Sequence, residues 1–127
     1  MSTKAEKKIL IIEDDEDLLL LYRLYLQGEA YQVREAHNGK EGLELAEKEK
    51  PDLVILDMIM PVMDGEEFIQ HFRLEKKIWD VPIIIASVND KIPASLIEKG
   101  KICVVLKKPF PIEVLLREIT SALNGGD

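Results

Sequence analysis

Glu13, Asp14 and Asp57 each stand at the end of a short apolar run, and a hydroxyl and an ammonium stand in comparable places. Ile9–Ile12 leads into the acidic pair and Leu53–Leu56 leads into Asp57. Two later runs lead to Ser87 and to Lys107-Lys108. If the runs are neighbouring strands of one sheet, three carboxylates, one hydroxyl and one ammonium share a crevice. Carboxylates at roughly 4 Å repel by about 4 kcal/mol per pair at an effective dielectric near 20. A hard divalent cation offsets that repulsion, and Mg²⁺ takes one or two carboxylates together with waters and phosphate oxygens. An aspartate carboxylate can attack a phosphoryl group. A metal ion and a lysine stabilise charge on the transferring oxygens, and a hydroxyl donates to another. The inventory holds each of these roles.

The elements that must position these residues are legible in the periodicity. Ile9–Ile12, Tyr31–Ala36, Leu53–Leu56, Val81–Ala86 and Ile102–Leu106 are predicted strands, most of them apolar on both faces. Helices are predicted over Glu16–Gln27 with Gly28 as its stop, Lys40–Glu49, Glu66–Lys76, a short one from Pro93 to Gly100, and Ile112–Leu123. Such alternation demands a parallel sheet, because each helix must return the chain across a sheet face. The predicted fold is α/β, a flavodoxin-like doubly wound five-stranded sheet of order 2-1-3-4-5 with five helices. In that architecture function gathers beyond the carboxyl ends of the strands, beside the first and third.

Bulk properties exclude other classes. The 127 residues are expected to form one domain, 1–127, with a tail over 1–8 and a flexible end or linker start over 124–127. A net charge of −7 argues against direct nucleic-acid binding, and Lys4, Lys7 and Lys8 read as a solubilising tip. Cys103 is the single cysteine, so no internal disulfide forms, and it reads as a small buried hydrophobe. No run approaches a signal-peptide core or a membrane span, and a cytoplasmic location is expected. His37 and His71 are assigned no chemistry, and Trp79 is placed in packing before the fourth strand.

Asp57-Met-Ile-Met-Pro-Val-Met-Asp-Gly65 resembles the D-x-x-M-P-x-M-D-G signature of two-component response-regulator receiver domains at every fixed place. The acidic pair, Ser87 and Lys108-Pro109-Phe110 complete the resemblance, which covers nearly the whole chain. It implies that Asp57 accepts a phosphoryl group in a Mg²⁺-dependent reaction. It also implies that Asp14 ligates the metal directly, Glu13 acts through a metal-bound water, and the Ile59 carbonyl completes the protein ligands. Ser87 would bond the phosphoryl group, Lys108 would pair first with the Asp57 carboxylate, and the Lys108–Pro109 peptide would be cis. Asp15 competes with Asp14 for the acidic pair. The implied donor is a histidine kinase or histidine phosphotransfer protein, the downstream target is unknown, and no membrane partner is implied. The chain would relay or switch a signal and catalyse its own phosphoryl transfer, without being a turnover enzyme.

The residues leave room for weaker readings. Glu13–Asp17 alone is an acidic helix start, and Asp64-Gly65 alone is a turn dipeptide. An aspartate-nucleophile phosphatase would carry a second Asp where Ile59 stands, and a flavin carrier's phosphate would be repelled by Glu13-Asp14-Asp15. A docking-only receiver stays possible because Val105 occupies the family's usual aromatic position. Val88, where the family prefers a small residue, would narrow access to Asp57. Ile59 predicts slow hydrolysis of the phosphoryl group, since an apolar side chain cannot orient water. On the first helix Leu18, Leu21, Tyr22 and Tyr25 are expected to face the sheet. Leu19, Leu20 and Leu24 are expected to face outward, with Leu20 and Leu24 forming a docking stripe for a helical bundle.

Overall fold

Apolar runs without polar alternation need cover on both faces, and each of the strands predicted from them is found inside one five-stranded parallel sheet of order β2-β1-β3-β4-β5. The computed structural model describes residues 7–89 and 91–125. The strands are β1 (Lys8–Ile12), β2 (Gln32–Ala36), β3 (Leu53–Leu56), β4 (Ile83–Ser87) and β5 (Ile102–Lys107). The helices are α1 (Glu16–Gly28), α2 (Gly39–Lys48), α3 (Gly65–Gln70), α4 (Ala94–Lys99) and α5 (Ile112–Leu123). Lys4, Gly126 and Asp127, on which terminal expectations rested, lie outside the described residues.

Strand residues alternate between two cores. Leu10, Ile12, Val54, Leu56, Ile83 and Ile85 pack on one face with Phe68, Ile69 and Phe72 of the α3 region. Ile9, Ile11, Leu53, Ile55, Ile84 and Ala86 pack on the other with Leu19, Tyr22 and Leu26 of α1 and Leu115 and Ile119 of α5. The period-two split is the pleat itself.

Several local expectations are corrected. Gly28 lies inside α1, which stops at Glu29 and turns at Ala30 with φ of 68°. The sheet-facing residues of α1 are Leu19, Tyr22 and Leu26, whereas Leu21 and Tyr25 are exposed. Four consecutive leucines at 18–21 give no polar contrast to fix the helix phase; Leu19, Tyr22 and Leu26, at i, i+3 and i+7, fix it. Leu20 and Leu24 face solvent as expected. Cys103 is exposed rather than buried. The ladder pairs Ile83 with Ile102 and Ile84 with Val104, so Cys103 is the extra residue of a bulge on the β5 edge. After Gln70, α3 widens into a π-type turn over His71–Glu75. Pro93 precedes α4 as its cap instead of opening it.

Candidate functional site

β1 and β3 are adjacent and in register through Ile12 and Leu56, so Glu13 and Asp57 are neighbours by construction. The Glu13 amide donates to the Ala36 carbonyl and the Asp57 amide donates to the Ile12 carbonyl, each at 3.0 Å. The chain thus leaves the sheet with both acids still held by ladder-like bonds. Carboxylate oxygens of Glu13, Asp14 and Asp57 lie within 4.8 Å of one another, Glu13 and Asp57 buried and Asp14 exposed. Three hard oxygen donors at that separation fit a divalent cation such as Mg²⁺.

Asp15 is excluded from this group by its own work. Its side chain caps α1, accepting from the amides of Asp17 at 2.9 Å and Leu18 at 3.2 Å. Glu13 also accepts from the Asp15 amide, at 3.2 Å. Of the three consecutive acids, Glu13 and Asp14 are the two whose carboxylates gather with Asp57.

Lys108 reaches in from the end of β5. Its Nζ donates to Glu13 Oε1 at 2.5 Å and to Asp57 Oδ2 at 3.4 Å. The resemblance implied Asp57 as its first partner; the nearer one is Glu13. Burial pushes the Glu13 carboxyl up to about 7, Asp57 adds to that rise, and Lys108 opposes it. Tyr22 lies beneath the same charges, and burial holds its phenol above the ordinary value.

Ser87 ends β4 and is fully buried. Its carbonyl accepts from the Lys108 amide at 2.8 Å and its hydroxyl accepts from the Asn89 amide at 3.4 Å. The hydroxyl makes no hydrogen bond to Asp57 among the described residues. The Ile59 amide donates to Asp57 Oδ1 at 3.3 Å, while its side chain stays exposed. The Lys108–Pro109 peptide is cis.

The β3–α3 loop is folded tightly against the site. A Cβ at Gly65 would stand 2.7 Å from Met58 Cα and 2.8 Å from the Asp57 carbonyl, so only glycine fits there. Asp64 caps α3 by accepting from the Glu67 amide at 3.0 Å, with Glu67 reaching back to the Asp64 amide. The signature's final Asp-Gly is thus a helix start pressed on the strand end, with no part in the charge cluster.

Sequence reasoning missed two partners. The Lys108–Glu13 pair spans 95 positions and has no local signal. His37 bridges Glu16 at 2.9 Å and Glu41 at 3.0 Å, tying α1 to α2. Glu41, foremost, raises the His37 pKa.

Comparison with known proteins agrees with this geometry. The family model described as the response regulator receiver domain matches residues 9–120. The transcriptional regulatory protein YkoG of Bacillus subtilis is 38% identical over 118 residues, covering 91% of this chain and 50% of that protein. The chain thus spans about half the length of such curated relatives. A CheY-like receiver from Methanospirillum hungatei superposes with a TM-score of 0.86 at 25% identity, covering 94% of this chain and 95% of the other. The response regulator TrrA of Thermotoga maritima, solved in complex with Mg²⁺-BeF, gives 0.80 at 30% identity over 91% of this chain and 97% of the other. With its sheet order, its strand-end acids and a match over most of its length, the chain belongs to the response regulator receiver domain family of two-component systems.

Proposed function

We propose that Asp57 accepts a phosphoryl group from a phosphohistidine of a histidine kinase or histidine phosphotransfer protein, in a Mg²⁺-dependent reaction. The observation that carries this reading is the gathering of the Glu13, Asp14 and Asp57 carboxylates, with the Lys108 ammonium reaching Glu13 and Asp57. In the transfer an Asp57 oxygen forms the new P–O bond, the P–N bond breaks, and the imidazole leaves with the electron pair. Lys108 stands ready to pair with the negative charge gathering on the phosphoryl oxygens. Ser87, at the end of the neighbouring strand, would donate its hydroxyl to one of those oxygens. Glu13, Asp14, Asp57 and the Ile59 carbonyl would hold the metal. Bound Mg²⁺ would supply charge neutralisation for the crowded acids and for the incoming phosphoryl group. TrrA, whose solved complex contains Mg²⁺ and BeF, supports that reading by similarity.

The chain itself works as a signalling module and not as a classical enzyme. Its partner surface would be α1. Leu20, Leu21, Leu24 and Tyr25 are exposed there, and Leu21 also lines a cleft of about 400 Å³ with Val88, Phe110 and Lys108 beside the site. An apolar face next to Lys108 suits the helical bundle that carries a phosphohistidine. With its net charge of −7 the receiver would make no direct contact with nucleic acid. No helix among the described residues is long and apolar enough to cross a membrane. A cytoplasmic location and a single domain over 1–127 complete the proposal.

Intact-mass measurement after acetyl phosphate treatment tests it. One added phosphoryl group is expected, absent without Mg²⁺ and absent in Asp57→Asn. Labelling that survives in Asp57→Asn would overturn the assignment. Leu20→Glu with Leu24→Glu should slow transfer from a phosphohistidine protein while sparing acetyl phosphate labelling.

A further inference from the structure

A second cleft, of about 550 Å³, runs between α3 with its π-type turn and α4, on the other side of the sheet from α1. Its walls are apolar along Ile69, Leu74, Leu96 and Trp79, a lining and size typical of small-molecule sites. Arg73 meets Gly100, next to Lys99, and the only acid in the lining, Glu66, stands seven residues before Arg73 in the first turn of α3.

Arg73 is unusual for its position. It is 1% exposed, and its guanidinium donates to the carbonyls of Gly100 at 2.8 Å, Ile78 at 2.9 Å and Lys101 at 3.4 Å. The group sits 5.6 Å from the Phe72 ring and 5.7 Å from the Trp79 ring. A guanidinium has five N–H donors, so three carbonyls leave donors over. Among the described residues no carboxylate forms an ion pair with it. The Asp80 charge acts on it from beyond ion-pair contact, so no carboxylate neutralises the buried cation directly. The wide turn that begins at His71 holds Arg73 in this position.

We propose that the α3–α4 cleft binds a small organic anion, an apolar body of phenyl or branched-alkyl size ending in a carboxylate. The body would lie along Ile69 and Leu96, and the carboxylate would turn to Arg73 and Lys99, away from Glu66. This site is separate from the acidic crevice and does not rest on the phosphoryl chemistry proposed there.

Trp79 is the single tryptophan and lines the cleft, so its fluorescence reports occupancy directly. The probes are 4-phenylbutyrate and its uncharged counterpart 4-phenylbutanol, titrated into the whole chain, with amide chemical shifts mapped in parallel. The expected result is saturable binding of the carboxylate, about tenfold tighter than the alcohol, with shifts confined to α3, the π-type turn and α4. Lys99→Glu, a surface change, should remove most of that preference while leaving the alcohol's affinity unchanged. Ser95→Phe, which fills the mouth, should weaken both probes. Equal affinities, shifts elsewhere, or no saturable change in the folded protein would each overturn the proposal. So would a concentration-dependent Trp79 change without probe, which would mark the cleft as a contact between copies of the chain.

Discussion

Removing one charge from the acidic crevice should move stability in opposite directions depending on its sign. Three carboxylates share one ammonium, so the metal-free crevice holds excess negative charge. At 4.8 Å and an effective dielectric near 20, each ionised pair of acids costs about 3.5 kcal/mol. Asp57→Asn gives up a 3.4 Å attraction to Lys108 but escapes repulsion from both Glu13 and the screened, exposed Asp14, along with the penalty for burying its own charge. The 2.5 Å pair between Lys108 and Glu13 survives, so no buried charge is left alone. The net gain is about 1–2 kcal/mol, or roughly 4–8 °C in melting temperature for a domain of this size. Lys108→Met does the reverse. It strands the acids without a cation and should destabilise by about 3 kcal/mol.

The effect has a pH window. Glu13 titrates near 7 in the folded protein, against 4.5 ordinarily, chiefly because it is buried. The folded state therefore keeps a proton that the unfolded chain gives up, and stability falls as pH rises from about 4.5 to about 7. Asp57→Asn should flatten that fall, because one of the influences raising Glu13 is gone. Lys108→Met should steepen it and extend it upward. Thermal melts in chelator at about pH 5 and about pH 8 measure both. An Asp57→Asn protein that melts below wild type at the higher pH would refute the reasoning, as would a Lys108→Met protein that melts with wild type.

Other outcomes follow from single contacts. Ile59→Asn gives a water near Asp57 a polar neighbour and should shorten the phosphoryl lifetime by about tenfold, timed by loss of the added mass after the donor is removed. Arg73→Met takes the buried donor from three main-chain carbonyls, and should lower stability by about 3 kcal/mol in urea titrations. His37 should make a small pH-dependent contribution, a few tenths of a kcal/mol because the pair is exposed to solvent. Its raised pKa means that this contribution is complete below about 6.5 and disappears as pH rises past the folded value, a slope that His37→Gln should abolish.

What could be read from the residues depended on whether a signal was local. Both faces of the sheet are covered, so the strands other than β2 contain unbroken apolar runs, and their ends point directly to Glu13, Asp57, Ser87 and Lys108. The phase of α1 could not be read the same way. Leu18 to Leu21 offer four equivalent candidates, and only Tyr22 and Leu26 in the packed structure select Leu19. Cys103 was misplaced because a bulge changes which face a residue meets, and nothing in Ile102-Cys-Val-Val105 announces one. Arg73 was passed over for a deeper reason. Its partners are carbonyls, which every residue carries, so no side-chain pattern elsewhere in the chain marks where they lie.

The same argument explains why Lys108 leans to Glu13. Glu13 is 2% exposed and Asp57 6%, so water does less for the Glu13 charge, and the nearer ammonium compensates it. That balance depends on the charge carried at Asp57. A phosphoryl group there would bring about 1.5–2 negative charges in place of one. The stronger field would then lie on the Asp57 side, and an ammonium already within 3.4 Å of it has only a short way to turn. Releasing Lys108 from Glu13 would loosen a side-chain tie between the end of β1 and the end of β5. A signal could leave this receiver along that edge although Val105 stands where its family usually places an aromatic ring.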